Sequence, residues 1–281
     1  MSWLGAVEGS ELSFTEATAV VRRGDGRYGA EVAPGWDIAG NANGGYLLSV
    51  AGRAMADAAG RPDPVTITAH YLAPGKPGPL GVDTTVVKEG KRFTTVTATV
   101  TGTDDRPMLA VLGTFGDLDP AVSVGAPMRI DSAPPELPPV EACQPMTVGP
   151  GGGGPPSFMT QIDLRMHPDD IGFTRGAPSG QLRVRGWFRL RDGEPLDSIG
   201  MLTAVDAFPP TIFNSDIPVA WTPTVELTAH LRARPAPGWL RCSFTTRFVT
   251  AGFIEEDGEL WDDTGALVAQ SRQLALVPRG N

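Results

Sequence analysis

Two similar halves, each an antiparallel sheet curled around one helix, are the α+β fold that this sequence predicts. Three observations lead there: a short internal repeat, a Pro/Gly-rich break near the middle, and the same order of helix and strands on either side of it. Thr68-Ala69-His70 returns 160 residues later as Thr228-Ala229-His230, and Pro77-Gly78 and Leu80 return at the same offset as Pro237-Gly238 and Leu240. Leu109-Ala110 finds Val268-Ala269 at an offset of 159, and Trp36 is paired with Trp187 at 151. Ordered matches with a slowly drifting offset point to duplication.

The break carries APPELPP at 133–139 and GPGGGGPP at 149–156. Proline has no N–H to give a central strand and a glycine run has little to bury, so this segment reads as a linker. The predicted division is 1–118 for the first half, 119–156 for the linker and 157–281 for the second.

Each half opens with a strand region, 10–32 and 157–191. A helix from Gly44 to Ala59 follows in the first half, with Leu47, Leu48, Ala51 and Met55 at helical spacing. Its counterpart is expected from Pro195 to Phe208, with Pro195 suited to a first turn and Pro209-Pro210 ending it. Strands with period-two alternation come next. In 224–231, Val225, Leu227, Ala229 and Leu231 share one face, and Thr224, Glu226, Thr228 and His230 the other. One helix and then a run of strands, twice over, is an α+β pattern rather than alternating βαβ units. A sheet wrapped around a helix about 22 Å long can bury most of its apolar surface. That is the hotdog arrangement, predicted here as a double hotdog: two antiparallel sheets, each around a central helix.

Composition narrows the function. A formal net charge of -9 argues against general affinity for nucleic acid or anionic membrane. With two cysteines and three histidines, none at close ligand spacing, a His/Cys zinc site is not expected. The first twelve residues lack a basic stretch followed by an apolar run, and no segment approaches the roughly 18 apolar residues of a membrane span. The expectation is a cytoplasmic protein without signal peptide, metal or redox cofactor. No Gly-x-Ser-x-Gly precedes a helix, and the glycine run at 151–154 lacks a following Gly-Lys-Ser/Thr, so neither a serine hydrolase nor a phosphate loop is predicted. His70 and His230 read as repeat-related structural residues.

A resemblance makes the expectation specific. WDIAGNANGGYLLSVAGR at 36–53, AHYLAPG at 69–75 and KEGKRFT at 88–94 resemble the first hotdog of type II acyl-CoA thioesterases. WFR at 187–189, VDAFP at 205–209, TPTVE at 222–226 and LVAQSRQ at 267–273 are similar to the second. The resemblance implies hydrolysis of acyl-CoA by a water held by an Asp, a Thr and a Gln, which fall on Asp206, Thr224 and Gln273. It also implies a small-molecule acyl-CoA partner. Two fused hotdogs already make the sheet pairing that smaller relatives obtain by dimerising, so the chain is expected to be the minimal functional unit and to associate further into closed homo-oligomers. The segment between Asp206 and Thr224 is shorter than in the family and contains Pro209-Pro210, which bears on the shape of the pocket.

The residue types suit that chemistry. Asp206 can accept the water's proton, while Thr224 and Gln273 can hold the water by hydrogen bonds and lower the entropic cost of attack. Asn43, Gly44 and Gly45 open a helix, where backbone N–H groups can face developing negative charge. Taken singly, each residue has a plain alternative: a solvated aspartate, a strand threonine, an edge glutamine, a helix cap. A hotdog protein that binds acyl-CoA or another hydrophobic ligand without turnover is the competing reading. A hydratase is weaker, since the Gly-Asp-x-Asn-Pro-x-His phrase is absent.

Overall fold

The computed structural model describes residues 12–123, 127–146 and 154–278. The readings of the first eleven residues, and of the glycine run up to residue 153, lie outside the described residues. In chain order the elements are α1 (Phe14–Ala17), β1 (Val21–Gly24), β2 (Arg27–Val32), β3 (Asp37–Ile38), β4 (Asn41–Ala42), α2 (Gly44–Ala59), β5 (Asp63–Tyr71), β6 (Gly78–Glu89), β7 (Thr94–Thr101) and β8 (Pro107–Gly116). After them come β9 (Gln144–Pro145), β10 (Ile162–Met166), β11 (Arg183–Leu190), α3 (Gly200–Ala204), β12 (Thr224–Leu231), β13 (Leu240–Thr250), β14 (Phe253–Trp261) and β15 (Leu267–Leu276).

The strands do not form two separate sheets. All but β3 and β4 join one antiparallel sheet of 13 strands, ordered β1-β2-β6-β7-β8-β5-β12-β15-β14-β13-β11-β10-β9. The two sheets expected from the sequence are not separate: the β5–β12 pair joins them edge to edge, as two fused hotdogs can. Thr68 pairs with Thr228 there, and their hydroxyl oxygens lie 2.8 Å apart. A residue facing its own repeat across an antiparallel pair marks a local two-fold axis, so the duplication read from TAH is visible as geometry. The Trp36–Trp187 match fails the same test. Ala30 pairs with Leu80 and Phe188 with Leu240, so Trp187 occupies the place of Gly29, while Trp36 lies beyond the end of β2.

Helix α2 has the predicted bounds. Asn43 Oδ1 caps it by accepting from Tyr46 N at 2.9 Å, and Gly60 ends it in the left-handed region (φ 60°) that glycine adopts without strain. It buries Leu47, Leu48, Val50, Ala51 and Met55 beneath the sheet. The second helix is far shorter than the expected 195–208. Its first turn is set by Asp197, whose carboxylate accepts from Gly200 N at 2.7 Å, and helical geometry stops at Val205 ahead of Pro209-Pro210. Part of the segment expected as linker also joins the sheet: β9 pairs with β10, and Pro138 O accepts from Trp187 Nε1 at 2.9 Å.

The two helices lie against each other across small residues. A Cβ built on Gly45 would stand 2.7 Å from Leu202 O, and one on Gly52 would stand 3.0 Å from Leu202 Cδ1. Between them the buried Ser49 hydroxyl lies 3.0 Å from both Gly45 O and Ile199 O and 2.9 Å from Thr203 Oγ1. Charged groups also tie the halves: buried Asp63 accepts from Arg234, from Ser198 Oγ at 2.7 Å and from Leu118 N at 2.8 Å. Ser49→Ala strips a hydroxyl from the helix contact, and buried polar groups left with fewer partners cost about 1–3 kcal/mol. A urea titration should show a loss of that size with an unchanged m-value; an unchanged midpoint would contradict the interhelix role.

Candidate active site

The close approach of α2 and α3 brings Asp206, just past the end of α3, onto the first turn of α2. Asp206 Oδ2 accepts from Gly45 N at 2.7 Å, and Asp206 O accepts from Asn43 Nδ2 at 3.3 Å. Burial pushes the Asp206 carboxyl up to about 7, with the Gly45 bond pulling the other way. Oδ1 has no protein partner among the described residues.

Thr224 and Gln273 meet directly, Gln273 Nε2 donating to Thr224 Oγ1 at 2.5 Å. Gln273 occupies an inward position of β15, opposite buried Leu227 on one side and Glu256 on the other. Thr224 departs from the alternation read in the sequence, which set it on the polar face with Glu226 and Thr228. Between Thr224 and Glu226 the register shifts: Thr224 pairs with Ala275 and Glu226 with Leu274, so two steps on β12 oppose one on β15. This bulge at Val225 turns the Thr224 side chain to the inner face.

Asp206, Thr224, Gln273, Asn43 and Gly44 all line one cavity of about 1010 Å³ that draws on both halves. Phe208, Phe213, Phe244, Ile254 and Leu47 give it apolar walls. Gly45 is not among the lining residues, and its N–H, expected to face a ligand, is engaged by Asp206 instead. Gly44 N–H sits at the first helical position, where no intrahelical acceptor exists.

Two lining residues were missed in the sequence. Glu256 is in phase with the buried Ile254 and Leu260, an inward carboxylate on an alternating strand, which was the available signal. Its Oε2 accepts from Thr211 N at 2.8 Å, and burial, reinforced by Asp206, raises it to about 7. Tyr71, from β5, lies against the start of α2, and its buried hydroxyl has no partner among the described residues. Such a group costs about 1–3 kcal/mol; the sequence marked the position only as the aromatic of the AHYLAPG phrase. His70 and His230 pair with Glu226 and Thr66 on the exposed side of the β5–β12 junction, away from the cavity. Among the described residues no cluster of three or more His, Cys, Asp or Glu could hold a metal ion.

A helix at the centre of a curled antiparallel sheet, repeated and fused through a shared strand pair, with a cavity at the junction, is the hotdog class in its double form. A solved Alicyclobacillus acidocaldarius protein described as having a hot dog fold superposes with a TM-score of 0.79 at 20% identity, covering 95% of this chain and 98% of that one. The model for the acyl-CoA thioesterase N-terminal domain matches residues 32–116, and that for the C-terminal domain matches 140–277. The chain belongs to this acyl-CoA thioesterase family. A candidate thioesterase II from Thermobifida fusca YX is similar over 95% of this chain and 97% of its own, at 36% identity and a TM-score of 0.83. An uncharacterized protein of Mycobacterium tuberculosis is 31% identical over 263 residues, 86% of this chain and 88% of its own.

The raised Asp206 carboxyl has a consequence for stability. The folded state holds this proton to about pH 7, whereas an unfolded aspartate releases it near pH 4. Folding therefore binds a proton between those values, and stability falls as pH rises through that window. Asp206→Asn keeps an acceptor for Gly45 N–H and removes the buried charge. Thermal melts should show the variant gaining on the parent as pH rises from 5 to 8; a pH-independent difference would contradict the burial.

Proposed function

We propose that this protein hydrolyses acyl-CoA thioesters to free acid and CoA by direct attack of a water held by Asp206, Thr224 and Gln273. The observation that carries the reading is the convergence of these three side chains on one apolar-walled cavity, from the end of α3, the bulge in β12 and the inner face of β15. Gln273 Nε2 donates to Thr224 Oγ1, so the Thr224 hydroxyl hydrogen is free to donate to the water and Gln273 Oε1 is free to accept from it. Asp206 takes the water's second proton as its oxygen bonds to the thioester carbon. The carbonyl oxygen becomes an oxyanion facing the first turn of α2, where Gly44 N–H is a donor. Collapse breaks the C–S bond, and the proton on Asp206 passes to the departing thiolate, which leaves as CoA–SH.

The apolar walls fit an acyl chain, and the family match supports acyl-CoA as the carrier. No helix among the described residues is long and apolar enough to cross a membrane; a cytoplasmic location and closed homo-oligomers of the double-hotdog chain belong to the proposal. Light scattering should find a defined multiple of 29.6 kDa, and a monomer, or aggregates without a defined mass, would count against assembly.

Thiol release measured over a panel of acyl-CoAs tests the activity itself. In that assay Asp206→Asn should lower kcat about 10²–10⁴-fold with little change in KM, since the carboxylate acts on water. Thr224→Ala and Gln273→Ala should each cost less, and their losses should not add, because one water serves both. The parent rate should fall as pH drops through about 7, where Asp206 and Glu256 titrate as a pair. Full activity in Asp206→Asn would point to a different active site, and a parent protein that releases no thiol from any acyl-CoA would favour the ligand-binding reading.

A further inference from the structure

We propose that Tyr71 is a further catalytic residue, its phenolic O–H donating to the thioester carbonyl oxygen as negative charge builds there; this rests on the hydrolase reading above. The hydroxyl is buried and no protein group among the described residues accepts from it. Packing does not require it, because a phenylalanine would fill the same volume without an unpaired donor. The side chain continues the inward row of Ile67 and Ala69 on β5 and ends at the cavity.

Its position is defined by Gly44. A Cβ at Gly44 would lie 2.8 Å from Tyr71 Cε1, 3.2 Å from Tyr71 Cζ and 2.8 Å from Asp206 Oδ2. The hydroxyl-bearing end of the ring and the proposed base therefore flank the same point at the start of α2. Only a residue without a side chain lets the ring and the carboxylate close on the helix start, and a thioester carbonyl reaching this edge of the cavity would have Gly44 N–H and Tyr71 O–H on its oxygen side. Burial first, and then the carboxylates of Asp206 and Glu226, hold the phenol well above its ordinary range, so it stays protonated and acts as a donor. Asp206 Oδ2, on the other side of Gly44, receives Gly45 N–H. An acceptor that arrives with the substrate satisfies the orphaned donor, and the bond strengthens as the carbonyl becomes an oxyanion. No proton need leave Tyr71: it donates a hydrogen bond through attack and collapse.

Tyr71→Phe in the full chain tests this, with thiol release and thermal melting measured on the same preparation. Loss of one oxyanion donor lowers kcat about 10²–10³-fold, and KM should change little. The melting midpoint should hold or rise, since the variant removes an unpaired buried hydroxyl. A kcat within about twofold of the parent would overturn the assignment. So would a fall in kcat accompanied by a clearly lower midpoint, which would mean lost packing. An unchanged plateau rate with the acid limb moved to higher pH would assign the hydroxyl to Asp206 and also overturn it. Asp206→Asn run alongside separates the two readings: an inactive Asp206→Asn with an active Tyr71→Phe removes Tyr71 alone, whereas two active variants remove the site.

Discussion

The hydrogen bond from Gly45 N–H to the Asp206 carboxylate is the contact on which the site depends. It exists because α2 and α3 approach until main chain meets main chain, and Gly45, Ser49 and Gly52 line that contact. A side chain at position 45 would collide with both Leu202 O and Asp206 Cβ, at 2.7 and 2.8 Å. The consequence is chemical as well as steric. One carboxylate oxygen is fixed by a helix-start donor and the other is left for a proton, in surroundings dry enough to lift the carboxyl to about 7. A base poised near neutral pH is what general-base attack by water asks for.

The contact joins two halves that share an ancestry in pattern but have parted in detail. At the β5–β12 junction the repeat is still exact enough for Thr68 to face Thr228. Farther out, the first half has a helix of 16 residues and the second one of five. The chain released by the short helix runs through Asp206, Phe208 and the two prolines, and it forms one wall of the cavity. The first half answers with Asn43, Gly44 and Tyr71 on the opposite wall. Neither half contains the whole arrangement, so fusion through the sheet positions the chemistry as well as the core.

Much of this was legible in the sequence, for physical reasons that differ by residue. The duplication showed in the Thr-Ala-His repeat because the axis residues must pair with themselves. Helix α2 showed because its apolar spacing, Asn43 cap and Gly60 stop all agree. Asp206, Thr224 and Gln273 were read as a group from resemblance, and they line one cavity. The length of α3 was not legible: apolar spacing from Ile199 onward suits a helix, but proline and a side-chain cap decide where it runs. The bulge at Val225 is a register effect between strands, invisible along one of them. Glu256 was legible in principle, as a carboxylate in phase with Ile254 and Leu260. Tyr71 was legible only as the aromatic of AHYLAPG, because an unpaired hydroxyl is a property of surroundings.

The central claim is that Asp206 activates water and does not itself attack the acyl carbon. On the proposed mechanism the carboxylate, with its Oδ2 held by Gly45, is the proton acceptor and water is the atom source for the new C–O bond. Hydrolysis of an acyl-CoA in oxygen-18 water, followed by mass analysis of both the acid and the peptide containing Asp206, tests this directly. Direct attack puts one labelled oxygen in the free acid and leaves Asp206 unlabelled after many turnovers; label accumulating in the Asp206 carboxylate would show an acyl-aspartyl anhydride and contradict the account.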